Sequence, residues 1–152
     1  MAMIVPVFIV VEDGHEYTER FNRFLSDEIR FERASHLGEA VAALQDNPHA
    51  GLLLDLDFRR APPGVLVDEA GQVSLVRSDG ERRRLAEIQG ILILRALRAA
   101  DVRAPALLFA DLDDPGQARF LGETLGPLAI VASHAPLSEI RRRMREMRTV
   151  LG

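Results

Sequence analysis

Two short acidic clusters each follow an apolar run: Glu12-Asp13 comes after Val7 to Val11, and Asp55-Leu56-Asp57 comes after Gly51 to Leu54. A single acid behind a strand is usually a solvated loop residue. Two acidic clusters brought to one place are costly, because like charges at short range push one another's pKa upward. A hard divalent cation such as Mg²⁺ offsets that cost, since it takes a few carboxylate oxygens and keeps several waters. The rest of the sequence narrows the chemistry. Cysteine is absent, which removes thiol nucleophiles, thiolate metal sites and redox pairs. All 19 basic residues are arginine, so any mechanism that needs a lysine is excluded.

The elements that must position these acids alternate between strand and helix. Val7 to Val11 is short, β-branched and continuously apolar, the pattern of a strand covered on both faces. His15 to Leu25 follows as a helix with Tyr17, Phe21, Phe24 and Leu25 at helical spacing. Ile29 to Ala34 alternates like a partly exposed strand. Ser35 can cap the next helix, which carries Leu37, Val41 and Leu44 inward and stops at Asn47-Pro48. Gly51 to Leu56 is the third strand. Val65 to Val67 and Val73 to Val76 then read as a β-hairpin, part of an insertion over about residues 60–88. Arg84 to Ala100 is a long amphipathic helix interrupted by Gly90, an alternative start. Pro105 to Ala110 is a fourth strand, Pro115 to Gly126 a helix through Phe120 and Leu121, and Leu128 to Ala132 a fifth strand. Pro136 opens a last helix with Leu137, Ile140, Met144 and Met147 on its apolar side.

With 47% hydrophobic and 28% charged side chains, residues 1–152 read as a single domain that needs no disulfide or structural metal. Strands alternating with helices predict an α/β fold: a mostly parallel sheet with right-handed crossovers and helices on both faces. In the flavodoxin-like, doubly wound five-stranded sheet of order 2-1-3-4-5, ligands gather where the winding reverses, between the carboxyl ends of β1 and β3. Both acidic clusters fall there.

Glu12-Asp13 behind an apolar β1, Asp55 at the end of an apolar β3, and Gln89-Gly90 opening an apolar helix together resemble a response-regulator receiver domain of two-component signalling. The resemblance covers nearly the whole chain apart from about residues 60–88. It implies that the acid pair after β1 binds Mg²⁺, that Asp55 accepts a phosphoryl group from a histidine kinase, and that Asp57 offers the metal a main-chain carbonyl. The departures are equally specific. Receivers place Thr or Ser at the end of β4, where this chain has Ala110, and lysine at the end of β5, where it has Ala132-Ser133-His134. Both missing groups would stabilise oxyanion charge on a phosphorylated acceptor. The expectation is a degenerate, pseudo-receiver type with Ser133 and His134 at the degenerate switch positions. A His134 near several carboxylates would have its protonated form favoured and supply some of the missing positive charge.

The insertion leaves the sheet beside the acidic edge, where it could cover that edge, present a strand to a partner, or be a surface excursion. The last segment holds five arginines against two glutamates, so residues 139–152 carry +3 and the first 138 carry −7. Its simplest reading is a solvated face, but Arg141, Arg142 and Arg145 would also suit an acidic partner through bidentate pairing. In receivers the α4-β5-α5 face, here residues 115–126, 128–132 and 136 onward, is the usual dimer or partner surface. A net charge of −4 argues against nucleic acid as the main partner. No apolar run approaches the roughly 18 residues of a membrane span. The opening run lacks a basic flank and reads as a strand, so a cytoplasmic place is expected.

Three functions compete. The first is a noncatalytic signalling module that binds a protein partner, either a histidine kinase or a downstream signalling protein. The second is a single-domain response regulator that accepts phosphate at Asp55 with altered kinetics. The third uses Asp55 and Asp57 as the paired aspartates of a haloacid-dehalogenase-like phosphohydrolase, with Asp111, Asp113 and Asp114 as further acids. Phe58-Arg59 after a third strand fits that family poorly. No second domain is evident, so output is expected to pass through contact with another molecule.

Overall fold

The computed structural model describes residues 5–73 and 78–151. Within them β1 (Val7–Val11), β2 (Arg30–Ala34), β3 (Gly51–Asp55), β4 (Ala106–Phe109) and β5 (Leu128–Val131) pair in parallel in the order β2-β1-β3-β4-β5. Strand side chains alternate between faces, and both faces here are apolar, so the sheet needs a cover on each side. Phe8, Val10, Leu53, Leu107 and Phe109 point to one layer with Phe21, Leu25, Ile140, Met144 and Met147, on α1 (Glu16–Leu25) and α6 (Leu137–Leu151). Ile9, Val11, Leu52, Leu54 and Leu108 point to the other, against α2 (Leu37–Asp46), α3 (Asp79–Glu87), α4 (Gln89–Ala99) and α5 (Pro115–Leu125). The register pairs Val11 with Leu54 and Asp55 with Phe109, which sets Glu12 level with Asp55 at one edge.

The expected architecture and strand order hold, and the local differences have physical causes. The helix expected over 84–100 is two, broken at Ile88 (φ −121°, ψ 18°), so later helices count one higher. Ser78 caps α3 by accepting from the Glu81 N–H. At the break the buried Gln89 amide turns away to the insertion: it accepts from the Val67 N–H (2.8 Å) and donates to the carbonyls of Val67 (3.1 Å) and Leu85 (3.1 Å).

Of the expected hairpin, the described residues show the antiparallel bridge of Val67 with Val73. Pro63–Val65 is a 3₁₀ turn, and Ser74 to Val76 lie outside the described residues. Leu66 and Val67 are buried, so the insertion is tied to the body at this point. Asp68 then shapes a tight turn, accepting from the N–H groups of Ala70 and Gln72, with Gly71 at φ 75°.

His36, one residue beyond the expected Ser35, is the N-cap of α2. Its Nδ1 accepts from the Glu39 N–H, and Glu39 in turn takes the Ser35 N–H and hydroxyl. Phe24 and Val41, expected inward, are exposed, and so is Phe120 on α5. The inward stripe of α1 runs through Tyr17, Phe21 and Leu25, and Phe24 lies off it, under the Arg23 guanidinium at 5.4 Å.

Candidate functional site

The expected rim exists, but its acids are engaged with different partners. Glu12 is only 1% exposed. Its carboxylate accepts from the N–H groups of Tyr17 (3.1 Å) and Thr18 (2.8 Å) and from the Thr18 hydroxyl (2.6 Å). It therefore closes the first turn of α1, where free N–H groups and the helix dipole favour an anion. Asp13, with its side chain 2% exposed, accepts from the Arg60 N–H (2.8 Å) and from the Arg60 guanidinium at 3.5 Å. Asp57 is gripped by Arg59, through its N–H (2.9 Å) and its guanidinium (3.0 and 2.5 Å).

Asp55 is the exception. It is half-buried and has no ion pair among the described residues. Burial pushes its carboxyl up to about 7, helped by the charges of Asp13, Glu12 and Asp57 and opposed by a hydrogen bond at Leu56. Behind it, Gly90 lets the start of α4 approach the strand. A methyl group there would fall 2.0 Å from the Asp55 carbonyl oxygen, and the Gly90 N–H donates to the Leu56 carbonyl at 3.0 Å.

The positions beyond Asp55 offer little to an added anion. Ala110 presents a methyl group at the end of β4, its N–H spent on the Val131 carbonyl. The Ser133 hydroxyl donates to Asp111 (2.5 Å), and so does the Ser133 N–H (3.0 Å), which holds the Asp111 carboxyl low. The His134 side chain is 86% exposed and stands 3.8 Å from Asp111. The compensation expected of it toward the β1 and β3 acids thus has no contact to act through. Asp114 caps α5 through the Gly116 N–H, and among the described residues no three acids are grouped to hold an ion as a phosphohydrolase site would need.

Three residues at the rim carry no local signal in the sequence. Tyr17 stacks on Phe109 (centroids 4.6 Å apart) and donates its hydroxyl to the Ser133 carbonyl (3.3 Å). Burial, followed by the charges of Asp55, Glu12 and Asp111, keeps its phenol neutral. Arg33 binds the main chain of the β1–α1 loop, donating to the carbonyls of Gly14 (2.5 Å), Asp13 (2.9 Å) and Glu12 (3.4 Å). Arg60 is described above. The helix dipole of α1 and these cations supply the offset that the acid count demanded.

The four acids do not fit as a metal donor set in this arrangement. Glu12 and Asp13 already accept hydrogen bonds at both oxygens, and among the described residues no three His, Cys, Asp or Glu side chains are grouped to hold an ion. The arginines of α6 are also partly engaged within the chain. Arg141 pairs with Glu28 at 2.5 Å, Arg145 with Glu28 at 3.6 Å, and Arg142 with Glu146 at 3.4 Å. A groove of about 980 Å³ lies at the opposite, amino end of the strands between Val41, His49, Gly71, Ala96 and Arg103. It is remote from Asp55. Among the described residues no helix is long and apolar enough to cross a membrane.

No family model matches the sequence, and no curated protein matches it. The likeness is structural. The receiver domain of the Francisella response regulator 1452 superposes with a TM-score of 0.67 at 14% identity, over 97% of this chain and 99% of that one. The signal receiver domain of a putative Luxo repressor protein from Vibrio parahaemolyticus gives 0.66 at 9% identity, over 97% and 93%. The Vibrio cholerae chemotaxis protein CheY4 gives 0.65 at 14% identity, over 95% and 99%. The chain therefore has the fold of response-regulator receiver domains.

Proposed function

We propose that the chain is a signalling module of the two-component type that works by contact with another protein, a histidine kinase or a downstream signalling protein, and that its phosphorylation site is incomplete. One observation carries this reading. Asp55 stands at the carboxyl end of β3 beside the winding reversal, yet the groups expected to steady an oxyanion there, at the ends of β4 and β5, are missing or spent. Ala110 has no hydroxyl, the Ser133 hydroxyl is given to Asp111, and lysine is absent. Each such donor contributes about 2.7–4 kcal/mol where it serves a developing charge. The face of α5, β5 and α6 is the proposed partner or self-association surface. Phe120 lies exposed on α5, β5 is an edge strand, and Arg142 remains exposed on α6.

Incubation with acetyl phosphate and Mg²⁺, read by intact mass, tests the reading. The expected result is no phosphoryl adduct. The absence of an arginine partner on Asp55 supports one alternative, a response regulator phosphorylated there with altered kinetics. An adduct that disappears in Asp55→Asn would establish that alternative and remove the incomplete-site reading.

A further inference from the structure

The contacts of Arg60 point beyond an incomplete phosphoryl site. Phe58, fully buried, anchors the segment that leaves β3: its N–H donates to the Ala86 carbonyl (2.8 Å), and the Ala61 N–H returns to the Phe58 carbonyl (3.0 Å). This fixed turn aims the Arg60 N–H at one oxygen of Asp13, and the guanidinium reaches the other oxygen and both oxygens of Glu16, at 2.6 and 2.9 Å. Gly14 leaves the seat open, since a methyl group there would fall 2.3 Å from the guanidinium nitrogen. Asp13 is thus held at both oxygens from a distant part of the chain.

We propose that Arg60 is a tethered cation that occupies the acidic rim in place of a divalent metal ion. A free Mg²⁺ ion must first lift the guanidinium off Asp13, and only the fraction of molecules with the rim open can bind it. The apparent affinity falls by that fraction, so a rim open in about a tenth of molecules binds Mg²⁺ about tenfold more weakly. Tethering makes the competition effective, because a group held on a short segment acts at millimolar or higher local concentration. The Arg60 side chain is 57% exposed, so its pair with the exposed Glu16 contributes little to folding. The inference concerns occupancy of the rim, not transfer to Asp55, and it stands or falls with the metal alone.

The test is Mg²⁺ titration of the folded chain without a phosphoryl donor, followed by amide NMR shifts at Asp13 and Asp55. Arg60→Ala and Arg60→Gln are expected to bind Mg²⁺ about tenfold more tightly than the wild type. Arg59→Ala, which removes the same charge but touches Asp57, is expected to change affinity less than about twofold. Equal affinity in the wild type and both Arg60 variants would overturn the proposal. So would an Arg59→Ala gain as large as theirs, since net charge and not the tether would then be responsible. If the Arg60 variants lose their fold by circular dichroism, Gly14→Val evicts the guanidinium with Arg60 retained. It must give the same gain or the proposal fails.

Discussion

Asp55 stores an electrostatic penalty with no ion-pair partner among the described residues, whereas Asp13 and Asp57 pair with arginine and Glu12 binds the start of α1. Its carboxyl titrates near 7 when folded and near 3.8 when unfolded. Below about pH 4 both states hold the proton and the site is neutral to stability. As pH rises from about 4 to 7 the unfolded chain ionises first, so the folded state loses ground, and above about 7 the loss is constant. The full displacement corresponds to about 4 kcal/mol, which partial solvent access reduces to about 1–2 kcal/mol. Asp55→Asn is therefore expected to match the wild type near pH 4 and to exceed it by that amount at pH 8, in denaturant titrations at the two pH values. An advantage that is equal at both pH values would show that charge is not the cause. The partners of the rim acids were not readable from the sequence. Glu12 and Asp13 stand out as an acid pair behind a strand, but Arg60 reaches Asp13 from 47 residues away and Arg33 reaches the loop from 19 to 21 away. Local pattern carries no trace of either.

At the scale of elements, the close approach of α4 to β3 depends on the missing side chain of Gly90. A methyl group would meet backbone, the Asp55 carbonyl, which cannot swing aside as a side chain would. Gly90→Ala is expected to cost about 1–3 kcal/mol. Gly122→Ala, inside α5 with nothing within 4 Å, is expected to be neutral or to stabilise by up to about 1 kcal/mol. Urea midpoints of the two variants check the contrast, and an unchanged Gly90→Ala midpoint would mean that the helix slides. The strands were legible because buried parallel strands read as unbroken apolar runs, and β1 and β3 do so up to the acid that ends them. The split between α3 and α4 was half legible. Gly90 marked the interruption, but the cause is the Gln89 amide binding Val67, a tertiary contact. Arg98 is similar: it looks like a surface residue in a helix, yet it is buried and donates to the carbonyls of Leu125, Val102 and Pro127 at 2.9 Å each. Burial, aided by the Arg103 charge, lowers its pKa to about 10, which leaves it charged at neutrality.

Across the whole molecule, the two apolar layers share one sheet, so neither can be lost alone. Leu53 and Leu54 are adjacent in β3, both fully buried, and face opposite layers. Leu53→Ala and Leu54→Ala are each expected to cost about 2–5 kcal/mol and to leave a single transition. Coincident denaturation curves from far-UV circular dichroism and from the emission of Tyr17 would show this, whereas separate midpoints would mean that the layers unfold independently. The clip between Gln89 and Val67 also bears on how the chain can be altered. It fixes the excursion to the body at Val67, so the turn beyond it, with Glu69 and Ala70 exposed, is a natural graft point. Each doubling of a flexible loop costs only about 0.6 kcal/mol, which leaves room for an epitope or a reporter domain inserted at that turn.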